Sequence, residues 1–415
     1  MSVVVLSLLR LLQNRVGFLI MSSETHARSE TKGPSLTTQG GGGTYDPFSP
    51  ELKALIHQWQ DRYSKDAASP TMTVQQTRQA LSQMIQSDAY RDTKPSRGVV
   101  FIKTHKTGGS TVTSVLHALA TAHNLSTPVV KKSPGKRWFP GKDLQEMLQL
   151  PSTTNSSSHA PFDIWANHVV YDNALVTHVV VPGAKVVSIV RDPAARLRSA
   201  CQYYRCCPSD ADDPTIFESF VLKNPPALWL LHQEPKCHCC ADETAKEIVG
   251  MGLEPTLTET QNRALLLERV ESGDILLLVT ERMEESMLAL LHDLQLHPLD
   301  AAFLSKKVEL KATKQKTSDC IAAEQRVREW APYDARMHEI ANQMLTTRMN
   351  MTFVNATEAT WLLSGLNDIL FHACSSDDGD ESTNITDSVL GYWCSEKMLD
   401  NSEWNNKHAK MLGLG

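Results

Sequence analysis

The chain has 415 residues, a formal net charge of −6 at pH 7 and 41% hydrophobic residues. That length accommodates one large α/β domain with elaborations, or two domains. The mild acidity excludes a protein that gathers nucleic acid through a broad basic surface, so any anion must be held by a local cluster of cations.

Residues 3–21, VVVLSLLRLLQNRVGFLIM, are largely apolar but are interrupted by Arg10, Asn14 and Arg15. A clean spanning helix wants about 20 apolar residues, and a central Arg is costly. Residues 1–21 read as a signal-anchor, with a cleaved signal or an amphipathic helix as the alternatives. Residues 22–49 are polar, contain Gly40, Gly41, Gly42 and Gly43, and read as a flexible stem. Residues 50–65 place Leu52, Leu55, Ile56 and Trp59 on one helical face. A second helix is expected over 73–87, capped by Thr71 or Thr73, and both should pack outside the sheet.

Val99, Val100, Phe101 and Ile102 form a short continuous apolar run after Gly98, the pattern of a buried parallel strand. Lys103, Thr104, His105, Lys106, Thr107, Gly108, Gly109, Ser110 and Thr111 follow, and Val112, Val115, Leu116 and Leu119 then recur at helical spacing. Strand, glycine-containing turn and helix together aim backbone N–H groups and a positive helix end at an anion. The nucleotide-triphosphatase motif needs Lys after its second Gly, whereas Lys106 precedes both glycines here.

KTHKTGGST resembles the 5′-phosphosulfate loop of the galactose-3-O-sulfotransferases, which use 3′-phosphoadenosine-5′-phosphosulfate (PAPS) as sulfuryl donor. The resemblance implies an α/β fold, a P-loop-like parallel sheet flanked by helices, with a sulfotransferase domain over 50–398, a motif core over 97–300 and a tail over 399–415. Downstream segments follow in the same order. The basic turn KKSPGKRWF, residues 131–139, reads as a solvated loop or as a lid over an anionic or sugar ligand. FDIWANHVVYD (162–172) supplies a strand over 162–166 and then Asn167 and His168, similar to the family's N-H-M-R-F segment, with Val170 where the family has Arg. AKVVSIV (184–190) is the next strand, followed by Arg191, Asp192 and Pro193 and a helix bearing Arg196, Arg198, Ser199 and Tyr203. Its R-D-P-x5-S-x3-Y pattern resembles the 3′-phosphate signature, with Arg191 and Ser199 in contact; an Arg at a strand end offers a rigid bidentate fork.

Residues 205–260 read as a lineage-specific insertion carrying Cys206, Cys207, Cys237, Cys239 and Cys240. Disulfides are the expected state in an oxidising lumen; the alternative, zinc, lacks a standard ligand spacing. The nine cysteines leave at least one unpaired in a monomer. DILLLV (274–279) is a further buried strand, ending at Thr280 and Glu281, where Glu281 either orients an active-site group or is a solvated helix-start carboxylate. A helix with Met287, Leu288, Leu291 and Leu294 in its stripe follows. Residues 330–349 and SVLGYWCSEKM, with Cys374, also resemble family segments. Sequons at Asn124, Asn155, Asn350, Asn355 and Asn384 permit a secretory compartment.

The resemblance implies a Golgi, type II, single-pass enzyme with a lumenal catalytic domain and a glycolipid or glycoprotein acceptor, most directly the 3-hydroxyl of galactose. Nucleic acid is not an expected partner, and no metal is expected because lysines supply the countercharge. Lys103, Thr104 and Lys106 are read as donor-site residues, with Lys106 at the bridging oxygen. Thr107, Gly108, Gly109, Ser110 and Thr111 would cradle the 5′-phosphate. Imidazole exchanges protons near neutral pH, and the assignment made is His105 as base with His168 as acceptor-site partner. A catalytically inactive glycan- or nucleotide-binding relative is the main alternative. A P-loop kinase is a third reading, disfavoured by the Gly–Lys order and by the lack of a magnesium carboxylate.

Overall fold

The computed structural model describes residues 45–64, 74–128 apart from 94 and 97, 161–166, 179–204, 214–224, 258–304, 317–374, 389–398, and positions 403, 407 and 410. All fall within the unit Thr44–Gly415. The expectations for residues 1–43 and 131–139, for Asn167, His168 and Val170, and for the cysteines at 206, 207, 237, 239 and 240 lie outside the described residues.

The core is a four-stranded parallel sheet in the order β2-β1-β3-β4, built from β1 (Val99–Ile102), β2 (Ile164–Trp165), β3 (Lys185–Val190) and β4 (Ile275–Val279). β1 and β4 are buried throughout, as is β3 beyond Lys185, which is why these strands are continuous apolar runs with no alternation. β2 is shorter than the expected five-residue strand. Asp163 gives its N–H to the Ser126 carbonyl at 3.0 Å and accepts the Ser126 hydroxyl on its carboxylate at 2.7 Å. The Asp163 carbonyl still accepts the Val99 N–H of β1 at 2.9 Å, and Phe162 makes an isolated bridge to Val180.

Helices sheathe the sheet: α1 (Pro50–Ser64), α2 (Val74–Gln86), α3 (Gly109–Ala122), α4 (Pro193–Tyr204), α5 (Pro214–Lys223), α6 (Glu259–Glu271), α7 (Met283–Leu294), α8 (Ser318–Trp330), α9 (Pro332–Thr352), α10 (Ala356–Cys374) and α11 (Val389–Met398). As expected, α1 and α2 lie away from the strands, α1 against α10 and α2 against α10 and α11. α9 covers β4 and part of β3. Residues 330–349, expected to be helical, divide at Ala331, where Pro332 cannot continue the α8 hydrogen-bond ladder and starts α9.

A second apolar cluster joins α4, α5 and α8 through Leu197, Phe217, Val221, Ala323 and Val327. α5 therefore brings part of the 205–260 stretch into a packed layer. A disulfide between Cys374 and Cys394 ties the end of α10 to α11, and Cys320 is a buried free thiol. Between α3 and α11 lies a buried polar network. Asp300 accepts the Tyr90 hydroxyl at 2.7 Å and lies 3.1 Å from His123 Nε2, while Lys397 Nζ donates to the Asp300 and Ala302 carbonyls at 2.7 and 2.8 Å. Burial pushes the Lys397 ammonium down to about 8. Among the described residues no helix is long and apolar enough to cross a membrane.

Candidate functional site

The parallel register sets the site. Ile102 pairs with Ser188, and Val190 with Val279, so the turns after β1, β3 and β4 emerge together at the carboxyl edge of the sheet. Ligands of open α/β sheets collect at that edge.

The turn after β1 is built to expose backbone. Gly108 is the N-cap of α3 with φ 78°, in the left-handed region, and no side chain caps the helix. A Cβ on Gly108 would sit 3.1 Å from Met283 Cε and 3.3 Å from Thr280 Cγ2. A Cβ on Gly109 would meet Lys103 Cγ at 3.0 Å and the Thr104 carbonyl at 3.4 Å, so the helix start is pressed onto the strand end. The free N–H groups of a 14-residue helix thus open toward the turn. Lys106 has φ 63°, a conformation that costs a non-glycine residue about 1–3 kcal/mol and must be held by its surroundings. Arg191 Nη1 donates to the Lys106 carbonyl at 3.3 Å, and Lys106 Nζ rests 3.8 Å from the centroid of the Tyr203 ring.

The threonines divide by role. Thr104 Oγ1 donates to the Ile189 carbonyl at 2.7 Å, and Thr107 Oγ1 donates back to the Thr104 carbonyl at 3.2 Å. Both are buried: the Thr104 hydroxyl stitches the turn to β3, the Thr107 hydroxyl closes the turn on itself, and backbone groups there remain for a ligand. Ser110 is exposed and Thr111 half-buried at the start of α3, His105 is half-buried in the turn, and Lys103 is buried beneath it. Ser199 is half-buried on α4.

After β3, the R-D-P turn resolves into distinct tasks. The Asp192 carboxylate accepts the N–H groups of Ala194 and Ala195 at 3.0 and 3.1 Å, which caps α4, and Pro193 supplies its first residue. The other Asp192 oxygen takes Arg328 Nε at 3.0 Å and Nη2 at 2.7 Å. Burial alone would raise the Asp192 carboxyl; Arg328 and the Ala195 N–H overrule that and hold it below its ordinary value. Arg191 has no such closure: its Nε is buried without a hydrogen-bond partner, and the nearest carboxylate, Glu281, stands 4.0 Å away. Burial pushes the guanidinium below its ordinary value, opposed by Glu281 and Asp192. Arg196, on α4, is buried beside Asp334 at 3.6 Å, away from the turn.

After β4, Thr280 Oγ1 reaches the Thr107 carbonyl and, at 2.9 Å, the Val190 carbonyl, linking the first turn to the end of β3. Glu281 Oε1 accepts the Asp192 N–H at 3.0 Å, and Oε2 lies 3.2 Å from His338 Nε2. Burial would raise the Glu281 carboxyl, but His338 and the Asp192 N–H carry it below its ordinary value.

The structure thus brings Lys103, Thr104, His105, Lys106, Thr107, Gly108, Gly109, Ser110, Thr111, Arg191 and Ser199 to one edge, whereas His168 lies outside the described residues. Sequence reasoning did not find Thr280, Arg328 or His338. Only the position of Thr280 at a strand end could have signalled it. Tyr203 was legible as a motif residue, but not as the ring under Lys106. The geometry suits a ligand with two separate anionic groups: uncapped N–H donors and Lys106 on one side, and the unpartnered Arg191 Nε on the other.

Comparison with known proteins shows the family. The family model for galactose-3-O-sulfotransferase matches residues 55–405. Galactose-3-O-sulfotransferase 3 of Bos taurus is 26% identical over 254 residues, 60% of this chain and 57% of that protein. Galactose-3-O-sulfotransferase 2 of Sus scrofa is 25% identical over 255 residues, 61% and 62% respectively. Galactose-3-O-sulfotransferase 4 of Bos taurus is 32% identical over 137 residues, 32% and 27%. The chain spans less than two-thirds of the length of these relatives.

Proposed function

The chain belongs to the galactose-3-O-sulfotransferase family, and from that premise we propose that it is a PAPS-dependent sulfotransferase acting on a galactose hydroxyl of a glycolipid or glycoprotein glycan. The proposal extends to a Golgi type II topology with the catalytic domain in the lumen. The observation that carries the donor assignment is the buried, unpartnered Arg191 Nε on the sheet edge that also holds an uncapped helix start.

When bound, PAPS supplies the sulfuryl group and a 3′-phosphate by which it differs from ATP-like nucleotides. Backbone N–H groups of Thr107, Gly108 and Gly109, with the Ser110 and Thr111 hydroxyls, hold the 5′-phosphate. Lys103 and Lys106 would supply the countercharge for the sulfuryl group, with Lys106 the residue for the bridging oxygen. Arg191 and Ser199 hold the 3′-phosphate, the guanidinium through charge-assisted bonds. His105 accepts the acceptor hydroxyl's proton on a ring nitrogen, and His168 orients the sugar. A His105→Ala chain that kept near-normal turnover would promote His168 to the base.

The test is calorimetric titration of the full-length chain with 3′,5′-ADP and with 5′-AMP. Wild type is expected to prefer 3′,5′-ADP at least tenfold, and Arg191→Ala to lose about 100-fold in affinity for it, the order of two charge-assisted hydrogen bonds. A folded wild type that binds neither nucleotide, or both alike, would overturn the PAPS site. The inactive-relative reading, motivated by Val170 in place of the family's Arg, would then lead.

A further inference from the structure

Glu281 performs none of the chemistry assigned above, yet it stands beside the arginine that does. Its Oε1 receives the Asp192 N–H at 3.0 Å and faces Arg191 Nε at 4.0 Å. Its Oε2 meets His338 Nε2 at 3.2 Å, an imidazole brought in by α9 from 57 residues downstream. Asn342 steadies that histidine from the next turn, with Nδ2 donating to the His338 carbonyl at 2.9 Å.

A simple counter-ion would close on the guanidinium, as Arg328 Nη2 does on Asp192 at 2.7 Å. Glu281 instead stops at 4.0 Å, within Coulombic reach but beyond hydrogen bonding. A main-chain N–H on one side and an imidazole on the other hold it there, so it cannot swing in to take the Arg191 Nε–H. Arg191 Nη1 is meanwhile committed to the Lys106 carbonyl at 3.3 Å. The guanidinium is therefore anchored along one edge, compensated in charge, and left with a buried Nε–H that makes no hydrogen bond.

We propose that Glu281, backed by His338, is a positioning residue for the 3′-phosphate half-site: it holds the half-buried guanidinium of Arg191 in register with the phosphate loop while leaving Nε–H to the ligand. Glu281 touches neither donor nor acceptor. The inference rests on the PAPS reading and names a residue that reading does not use.

The experiment titrates the full-length wild type, Glu281→Gln and Glu281→Ala with 3′,5′-ADP and 5′-AMP, alongside thermal melts. Glu281→Gln keeps an oxygen for the Asp192 N–H and removes the charge; Glu281→Ala removes both. Affinity for 3′,5′-ADP is expected to fall roughly tenfold in Glu281→Gln, about 1.4 kcal/mol, and further in Glu281→Ala, while 5′-AMP binding stays within about twofold of wild type. A merely structural carboxylate would weaken both nucleotides together, and that outcome overturns the proposal. A wild type that prefers 3′,5′-ADP, with variants that keep the same preference, overturns it and leaves the PAPS reading standing. A wild type without the preference overturns both. Should Glu281→Ala fail to fold, Glu281→Gln with a wild-type melting temperature decides alone.

Discussion

β3 carries a cation at each end, and the two ends are finished differently. At the amino end, Lys185 Nζ donates to the Gly273 carbonyl at 2.5 Å and lies 3.5 Å from Asp293. Arg348 also closes on Asp293, and His292 stands beside it. At the carboxyl end, Arg191 Nε meets no acceptor and its carboxylate is held off at 4.0 Å. The closed end is also the more deeply buried: the Lys185 and Asp293 side chains are 12% and 14% exposed, those of Arg191 and Glu281 30% and 39%. Lys185 is closed by its counter-charge, whereas the Arg191 Nε–H is left open beside a carboxylate fixed short of it, on the sheet edge that also carries the uncapped helix start, an arrangement that suits an anion that arrives.

The sharpest way to break this comparison lies in the open end's other cation. Lys106→Ala should lower turnover of PAPS with a galactose-terminated acceptor by about 10²–10³, the usual scale for removing a group that stabilises transition-state charge. Binding of 3′,5′-ADP, which lacks the sulfuryl group, should change by less than about tenfold. A variant that loses both together would place Lys106 in the scaffold, as Lys185 is, and the distinction between the ends would collapse. Lys106 sits at φ 63°, where alanine is no better suited than lysine, so folding strain is matched between the two chains.

Much of the open end was legible because its signals are local. β1, β3 and β4 are buried on both faces and so spell continuous apolar runs, and KTHKTGGST and R-D-P lie directly after two of them. The collinear motifs did the rest, and the family match over residues 55–405 agrees with them. What stayed hidden depends on contacts across sequence. Glu281 and His338 are 57 positions apart and meet only because α9 lies over β4. The shortness of β2 could not be foreseen from FDIWA, since the Asp163 N–H and carboxylate are taken up by Ser126, from another part of the chain. Thr104 and Thr107 looked like ligand hydroxyls by composition, and only the depth of the turn reveals that they bond inward.

The closed end predicts a loss of stability without a loss of binding. Burial alone would raise the Asp293 carboxyl; His292, Arg348 and Lys185 hold it well below its ordinary value. A carboxyl depressed in the folded state stabilises in full above its unfolded value, near about pH 4, and that contribution fades as pH falls below it. Asp293→Asn should therefore cost about 2–3 kcal/mol at pH 7 by urea unfolding, since it leaves Lys185 and Arg348 without their shared counter-charge. The gap to wild type should narrow as pH drops below about 4. Affinity for 3′,5′-ADP should be unaltered in the folded variant. If Asp293→Asn weakened nucleotide binding as Arg191→Ala does, the two ends would not be separable.

The smallest effect belongs to Thr280, which separates the halves of the open end itself. Its hydroxyl spans the Thr107 carbonyl of the phosphate loop and the Val190 carbonyl at the end of β3, while the neighbouring Glu281 serves Arg191. Thr280→Val keeps the shape and removes the bridge, a loss of about 1 kcal/mol for one shared hydrogen bond, or roughly fivefold in affinity. Because the bridge steadies the loop that would hold the 5′-phosphate, 3′,5′-ADP and 5′-AMP should weaken equally, unlike in Glu281→Gln, where only 3′,5′-ADP should. Calorimetry on the two variants side by side reads this directly. A Thr280→Val chain that lost 3′,5′-ADP alone would mean that both β4-end residues act on Arg191, and the division of the edge into a loop half and an arginine half would fail.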